Sequence, residues 1–338
     1  MDVKGAYLND NVKEEVYMVQ PEGFGDRTDK VCHLIKTLYS LKQAGQEWNK
    51  VLNMHLKDIE FKNIEVDPCA FIWETNKQIE IITAWVDDLL LFMETVQFMN
   101  MLKAELKTLF DISNLGSPQK IVGIEIDQDH KNGRLKISQT EYIDDLLAKY
   151  NMMDCKPIAT PMDVSINLDD VEELPNDSPI QTLYQTLVGK LMFLVIATWP
   201  DEANIIQRLA TYISRPGEIH WRVAKQVLHY LKGVRMLGIT YVKHPNLDKR
   251  CLLHWCSDAS FNSEEGAKSV TGFVFTSAGG AITWGSQKQS LTALSAIEAE
   301  CLALTEATQE AVWLCTLLEE LKLPQMLPVE KTAEQHTN

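Results

Sequence analysis

Ile79-Glu80-Ile81-Ile82-Thr83-Ala84-Trp85-Val86-Asp87-Asp88-Leu89-Leu90-Leu91-Phe92 is an apolar run interrupted near its middle by two adjacent carboxylates. β-Branched residues dominate its first half, so 79–86 and 89–92 read as strands with Asp87 and Asp88 at the turn between them. Upstream, 70–73 reads as a further strand, joined to the first by Thr75, Asn76, Lys77 and Gln78. A tight turn between buried strands can hold carboxylates rigidly. Nucleotidyl transfer needs such carboxylates, converging on a pair of Mg2+ ions that activate an attacking 3'-hydroxyl and stabilise the departing pyrophosphate. Asp is also a favoured turn residue, so the pair by itself leaves a purely structural role open.

Outward from this hairpin, helical spacing appears over 38–56, 96–110 and 139–150, and a strand pair over 121–127 and 134–138. Residues 156–190 contain no Lys or Arg between their end lysines. They carry Asp163, Asp169, Asp170, Glu172, Glu173 and Asp177 with Pro157, Pro161, Pro175 and Pro179, which predicts a solvated acidic linker. Beyond it, 183–198, 201–214 and 221–232 read as helices, and 252–258, 270–275 and 281–284 as strands. A long helix is predicted over 296–321. Its stripe of Ile297, Cys301, Leu304, Ala307, Ala311, Cys315 and Leu318 is expected to pack on that sheet.

The chain has 338 residues, 45% of them hydrophobic and 23% charged, enough for more than one core. Its apolar stretches read as too short or too interrupted to cross a bilayer, so no membrane partner is expected. Seven cysteines without a Cys-x-x-Cys pair read as reduced thiols of an intracellular protein; cytoplasm and nucleus are not distinguished. The net charge of -15 runs against a nucleic-acid grip, since phosphate contacts need local Lys and Arg; the acidic linker accounts for part of it.

Trp85-Val86-Asp87-Asp88 resembles the Tyr-Val-Asp-Asp box of copia-type retrotransposon reverse transcriptases, with Trp for Tyr. Met1-Asp2-Val3-Lys4-Gly5-Ala6-Tyr7-Leu8-Asn9 resembles that family's first catalytic motif. Glu15-Val16-Tyr17-Met18-Val19-Gln20-Pro21-Glu22-Gly23-Phe24 is similar to the segment after it, and Leu38-Tyr39-Ser40-Leu41-Lys42-Gln43-Ala44 to its template- and nucleotide-binding helix. Gly123-Ile124-Glu125-Ile126 and Tyr230-Leu231-Lys232-Gly233 follow in family order, as do Trp255-Cys256-Ser257-Asp258-Ala259 and Leu294-Ser295-Ala296-Ile297-Glu298-Ala299-Glu300, which resemble two ribonuclease H carboxylate motifs.

The resemblance implies an RNA-directed DNA polymerase with associated ribonuclease H. Mg2+ would be held by Asp2, Asp87 and Asp88 at one centre and by Asp258 and Glu298 at another, with Trp85, Lys42 and Gln43 near nucleotide and template. RNA template, DNA primer, deoxynucleotides and other Pol segments are the implied partners. The implied fold is α+β: a partial palm and thumb over 1–154, a linker over 155–180, a helical connection over 181–245, an incomplete ribonuclease H-like α/β domain over 246–324 and a polar tail over 325–338. The family's fingers precede Asp2, and its third ribonuclease H Asp has no counterpart after Asp258. Asp2 is therefore expected to sit on a fraying strand, which favours the alternative of a non-catalytic remnant. Other departures lie at Gly45, Gln46 and Trp199, where the family has Pro, a basic residue and Arg. Ser295 and Glu298 also have capping-box spacing, so Glu298 has a structural role open to it.

Overall fold

The computed structural model describes residues 1–25, 28–75, 78–163, 166–169, 174–175, 178–243, 253–264, 267–323 and 330–331. It is a mixed helix-and-sheet chain in two compact units, Met1–Pro118 with Thr316–Lys322, and Gln119–Cys315 with Leu323–Asn338.

In the first unit, β1 (Asp2–Val3) is followed by a hairpin of β2 (Tyr17–Val19) and β3 (Val31–His33), then α1 (Ala44–Asp58), β4 (Lys62–Asn63), β5 (Ala70–Glu74), β6 (Ile79–Trp85), β7 (Asp88–Phe92), α2 (Val96–Leu109) and β8 (Ile112–Ser113). Six of these strands form an antiparallel sheet in the order β4-β5-β6-β7-β1-β8. One face is dry. Val3, Phe71, Ile82 and Leu89 meet Trp48, Leu52 and Leu56 of α1 and Leu102 and Leu106 of α2 in a single core. On the other face Ile64, Ala70 and Ile72 are covered by Leu317 and Leu321, and the Glu320 carboxylate accepts the backbone N–H groups of Glu65 and Val66.

The helix expected over 38–56 starts only at Ala44. Ser40 sits at φ +74°, outside helical backbone, and Leu41 and Ala44 donate to carbonyls three residues back, so 38–43 is a pair of turns. Lys42 and Gln43 therefore precede α1 instead of lying along it. Inside the first turn, Lys13 and Lys50 each reach Glu47 at 2.6 Å and hold its carboxyl down at about 2.

The second unit begins with β9 (Lys120–Ile121), β10 (Ile124–Asp129), β11 (Arg134–Ser138) and α3 (Thr140–Lys149). There follow α4 (Pro179–Ala197), α5 (Ala203–Thr211), α6 (Glu218–Val234) and β12 (Ile239–Val242). β12 closes a sheet in the order β12-β11-β10-β9, and Ile143, Leu146 and Leu147 of α3 share one core with Tyr184, Leu187 and Leu191 of α4 and Val223, Val227 and Leu231 of α6. Residues 119–149 thus belong with the following helices, not with the first sheet. α4 has the length and mean hydropathy, 1.4, of a bilayer span, a property the sequence reading missed; five of its side chains, Tyr184, Leu187, Val188, Leu191 and Leu194, are buried.

The acidic linker is not a free tether where it is described. Leu168 is fully buried with Met162 and Ile166 packed beside it, because apolar residues spaced among the acids find the helical core. Asp170, Glu172, Glu173 and Asp177 lie outside the described residues. His220 pins the segment: it accepts the Gly217 N–H at Nδ1 (2.6 Å), so Nε2 carries the proton and donates to the Leu168 carbonyl (2.9 Å). Its ring stacks on Tyr212, whose hydroxyl donates to Asp169.

Burial lowers the His220 pKa from 6.5, so the neutral ring is the form the fold favours. Stability from this contact is complete above pH 6.5 and is lost as pH falls through that value toward the lower folded one. Amides of 166–169 should lose protection from hydrogen exchange at pH 5 relative to pH 7.5 after correction for intrinsic rates. Equal protection at both values would rule the tether out.

The remaining elements are β13 (His254–Glu264), β14 (Lys268–Ser277), β15 (Gly280–Lys288), α7 (Ala296–Glu320) and β16 (Glu330–Lys331). β16 adds to β13 as a parallel neighbour in a β15-β14-β13-β16 sheet, so part of the expected tail is a strand. α7 packs on this sheet through Ala299, Ala303, Ala307 and Leu314, and only part of the expected stripe is buried: Ala307 and Leu318 are, whereas Ile297 is 77% exposed and Cys301 is exposed. Small side chains let the helix approach closely enough for Glu306 to meet Gln287 and Glu310 to meet Thr283.

Candidate active site

The turn between β6 and β7 has only two residues, since Trp85 pairs with Asp88. Val86 lies at φ +52°, which a β-branched residue avoids, at a cost on the order of 1–3 kcal/mol. Trp48 holds it there: its indole N–H donates to the Val86 carbonyl at 2.7 Å, and its ring packs edge-on against Phe110 in the core.

Asp2 is not on a fraying strand. β1 lies between β7 and β8, with Asp2 opposite both Asp88 and Ser113. Met1 and Leu89 exchange backbone hydrogen bonds (2.7 and 2.8 Å), Val3 donates to the Asp87 carbonyl (2.7 Å), and Lys4 donates to that of Asp111 (2.9 Å). Asp2 and Asp88 fall between these pairs, in the non-hydrogen-bonded position where Cα atoms approach to about 4.5 Å and side chains are closest. Trp85, Asp88, Asp2 and Ser113 thus form one cross-strand row on the face opposite Val3 and Leu89. Burial pushes the Asp88 carboxyl up, with the charges of Asp2 and Asp87 adding to it.

Asp87 turns one oxygen to Tyr39, whose hydroxyl donates to Oδ2 at 2.9 Å; Oδ1 is buried without a hydrogen-bond partner among the described residues. Among the described residues no three His, Cys, Asp or Glu side chains are already gathered at ion-binding distances. The donor set nonetheless suits a divalent cation: hard oxygen ligands, two of them cross-strand neighbours, and one carboxylate oxygen that no described residue satisfies. Trp85, 62% exposed, stands next to Asp88 in the row. Gln43 donates to Glu14 and Lys42 is exposed to solvent. The sequence reading missed Tyr39 and Trp48 as supports of the turn, although both lie in or beside a motif it singled out.

Asp258 and Glu298 are not brought together. Asp258 lies opposite Gly272, on the β13 face away from Trp255, Ser257 and Ala259, which look toward α7. Glu298 closes the start of α7: its N–H donates to Ser295 Oγ (3.2 Å) and its Oε2 accepts the Leu294 N–H (2.7 Å). Glu300 instead approaches this strand, accepting the Ala259 N–H at 3.3 Å.

Residues 1–164 match the family model described as reverse transcriptase (RNA-dependent DNA polymerase). The chain is 30% identical over 313 residues to a Ty5-1 transposon protein of Saccharomyces cerevisiae, an alignment that takes in 92% of this chain and 100% of that protein. It belongs to the copia-type reverse transcriptase family. Within that family it is 34% identical over 335 residues to the retrovirus-related Pol polyprotein from transposon TNT 1-94 of Nicotiana tabacum, covering 96% of this chain and 25% of the polyprotein. It is 35% identical over 327 residues to the Pol polyprotein from transposon RE2 of Arabidopsis thaliana, with 95% and 22% covered. The chain therefore spans about a quarter of these two relatives' length. Of the residues in the copia-type motifs quoted from the sequence, Asp2 and Asp88 face each other on one sheet of this chain, with Asp87 in the turn beside them.

Proposed function

We propose that the first unit carries an RNA-directed DNA polymerase centre in which Asp2, Asp87 and Asp88 would hold Mg2+, with RNA template, DNA primer and deoxynucleoside triphosphates as its ligands. The observation that carries this is the position of Asp2, fixed by backbone hydrogen bonds to strands on both sides and facing Asp88. Mg2+, when bound, activates the 3'-hydroxyl and stabilises the leaving pyrophosphate. The chain's part is positioning, which dominates catalysis of phosphoryl transfer: a sheet keeps two carboxylates in register, and the Trp48-held turn presents the third. Trp85 offers an exposed ring beside them on which a nucleobase can stack, and Lys42 a charge for phosphate.

The region 246–324 reads as a ribonuclease H-like domain by descent. Capping of α7 by Glu298, on a helix whose contact face is Ala299 and Ala303, supports a remnant there and not a second hydrolytic centre.

Primer extension on an RNA template with Mg2+ tests both readings. The native chain should extend the primer and leave the RNA strand of the hybrid intact, and Asp2→Asn should extend at least about a hundredfold more slowly, a loss of roughly 3 kcal/mol of transition-state stabilisation. Equal extension by Asp2→Asn would remove Asp2 from the centre; Mg2+-dependent cutting of the RNA strand would refute the remnant.

A further inference from the structure

We infer that Tyr39 is a positioning residue for the Asp87 carboxylate, aiming its unpaired oxygen at a divalent cation; the inference rests on the polymerase reading above. Asp87 sits on a turn, where a carboxylate can rotate freely unless something holds it. The Tyr39 hydroxyl holds Oδ2 at 2.9 Å, which fixes the direction of Oδ1, the buried oxygen that no donor among the described residues reaches.

The phenol is itself supported. Its ring lies against that of Tyr7, with centroids 4.8 Å apart at 54°. Tyr7 in turn is anchored through its carbonyl by the hydroxyl of Thr37, a residue 1% exposed. Ser40, next to Tyr39, takes the left-handed backbone that swings 38–43 away from a helix and delivers the ring to the turn. Trp48 fixes the backbone of the turn and Tyr39 the side chain of Asp87.

Groups that hydrogen-bond a metal-binding carboxylate set its orientation, and losing one weakens metal affinity by about 10–100-fold. Tyr39→Phe removes only the hydroxyl and keeps the ring on Tyr7, so the fold should be retained, as circular dichroism would verify.

The test is Mn2+ binding, followed by electron paramagnetic resonance, in the full chain and in Tyr39→Phe, Asp87→Asn and the double variant. Tyr39→Phe should bind Mn2+ about 10–100-fold more weakly than the native chain. Adding Tyr39→Phe to Asp87→Asn should cause no further loss, a coupling that general damage to the fold would not produce. Asp87-dependent binding that Tyr39→Phe leaves unchanged or tightens would overturn the role of Tyr39 while leaving the polymerase reading in place. A native chain whose Mn2+ binding is indifferent to Asp87→Asn would overturn both.

Discussion

Primer extension should fall by about a thousandfold, the equivalent of roughly 4 kcal/mol, when Asp87 and Asp88 are both replaced by Asn. The loss follows from charge: an amide keeps the shape of the turn but cannot offer an anionic oxygen to a hard cation. The same variant should be at least as stable as the native chain near neutral pH. Burial, and the nearby charges of Asp2 and Asp87, raise the Asp88 pKa, so the folded state favours its protonated form. A group raised in this way contributes stability below its unfolded pKa and loses it as pH rises through the folded one. At pH 7.5 the ionised Asp88 is therefore a burden on the fold, and removing its charge relieves it. Activity down with melting temperature level or up is the pattern of a site kept for function at the expense of stability. A variant that extends primers as the native chain does would end the polymerase assignment. One that is inactive but unfolded would contradict the electrostatic account.

Glu202→Gln should stabilise the second unit at alkaline pH by on the order of 4 kcal/mol. Glu202 ends the short turn Pro200–Glu202 ahead of α5, is 2% exposed, and has no hydrogen-bond partner on either carboxylate oxygen among the described residues. Burial, with the charge of Asp201 behind it, pushes its carboxyl up from 4.5 to about 8. At about 1.36 kcal/mol per pKa unit, the fold bears most of that gap once the group ionises. The sign is that of Asp88: the native chain is at full strength below pH 4.5 as far as this group is concerned, and weakens as pH rises toward 8. Glutamine keeps the volume without the charge. Urea unfolding between pH 5 and pH 9 should give nearly equal stabilities at pH 5 and an advantage for Glu202→Gln that widens up to about pH 8 and then levels off. A constant difference across the range would mean that the carboxylate is solvated or paired.

Element type was legible wherever the local period was strong. The strands around the Asp87-Asp88 turn, the helices that became α2 to α6 and the β14–β15 hairpin all appear within a few residues of where alternation or helical spacing put them. Failures came where a distant contact overrode a local signal. The stripe read on α7 gave Ile297 and Cys301 to the sheet, yet a helix lying on a flat sheet gains most from the face that approaches closest, so Ala299 and Ala303 are buried beside the expected Ala307, and Ile297 and Cys301 are not. The linker looked solvated because it carries acids and prolines with no balancing Lys or Arg, yet one of its apolar residues, Leu168, found a core that no local pattern displays. Lys42 and Gln43 were placed on a helix by motif, whereas the backbone at Ser40 turns before the helix can begin.

The amino-acid order alone determined the family and the identity of the candidate carboxylates, because motif residues and turn chemistry are local properties of the chain. Only the tertiary structure decided whether those carboxylates meet. Asp2 joins Asp88 because a two-residue strand is inserted between β7 and β8, and Tyr39 reaches Asp87 from a turn far away in the sequence. Asp258 and Glu298 satisfy the same sequence logic but sit apart, with the glutamate closing its own helix. Pairing across a sheet, and the face a helix turns toward it, depend on which surfaces exclude water together, and that is a property of the whole fold.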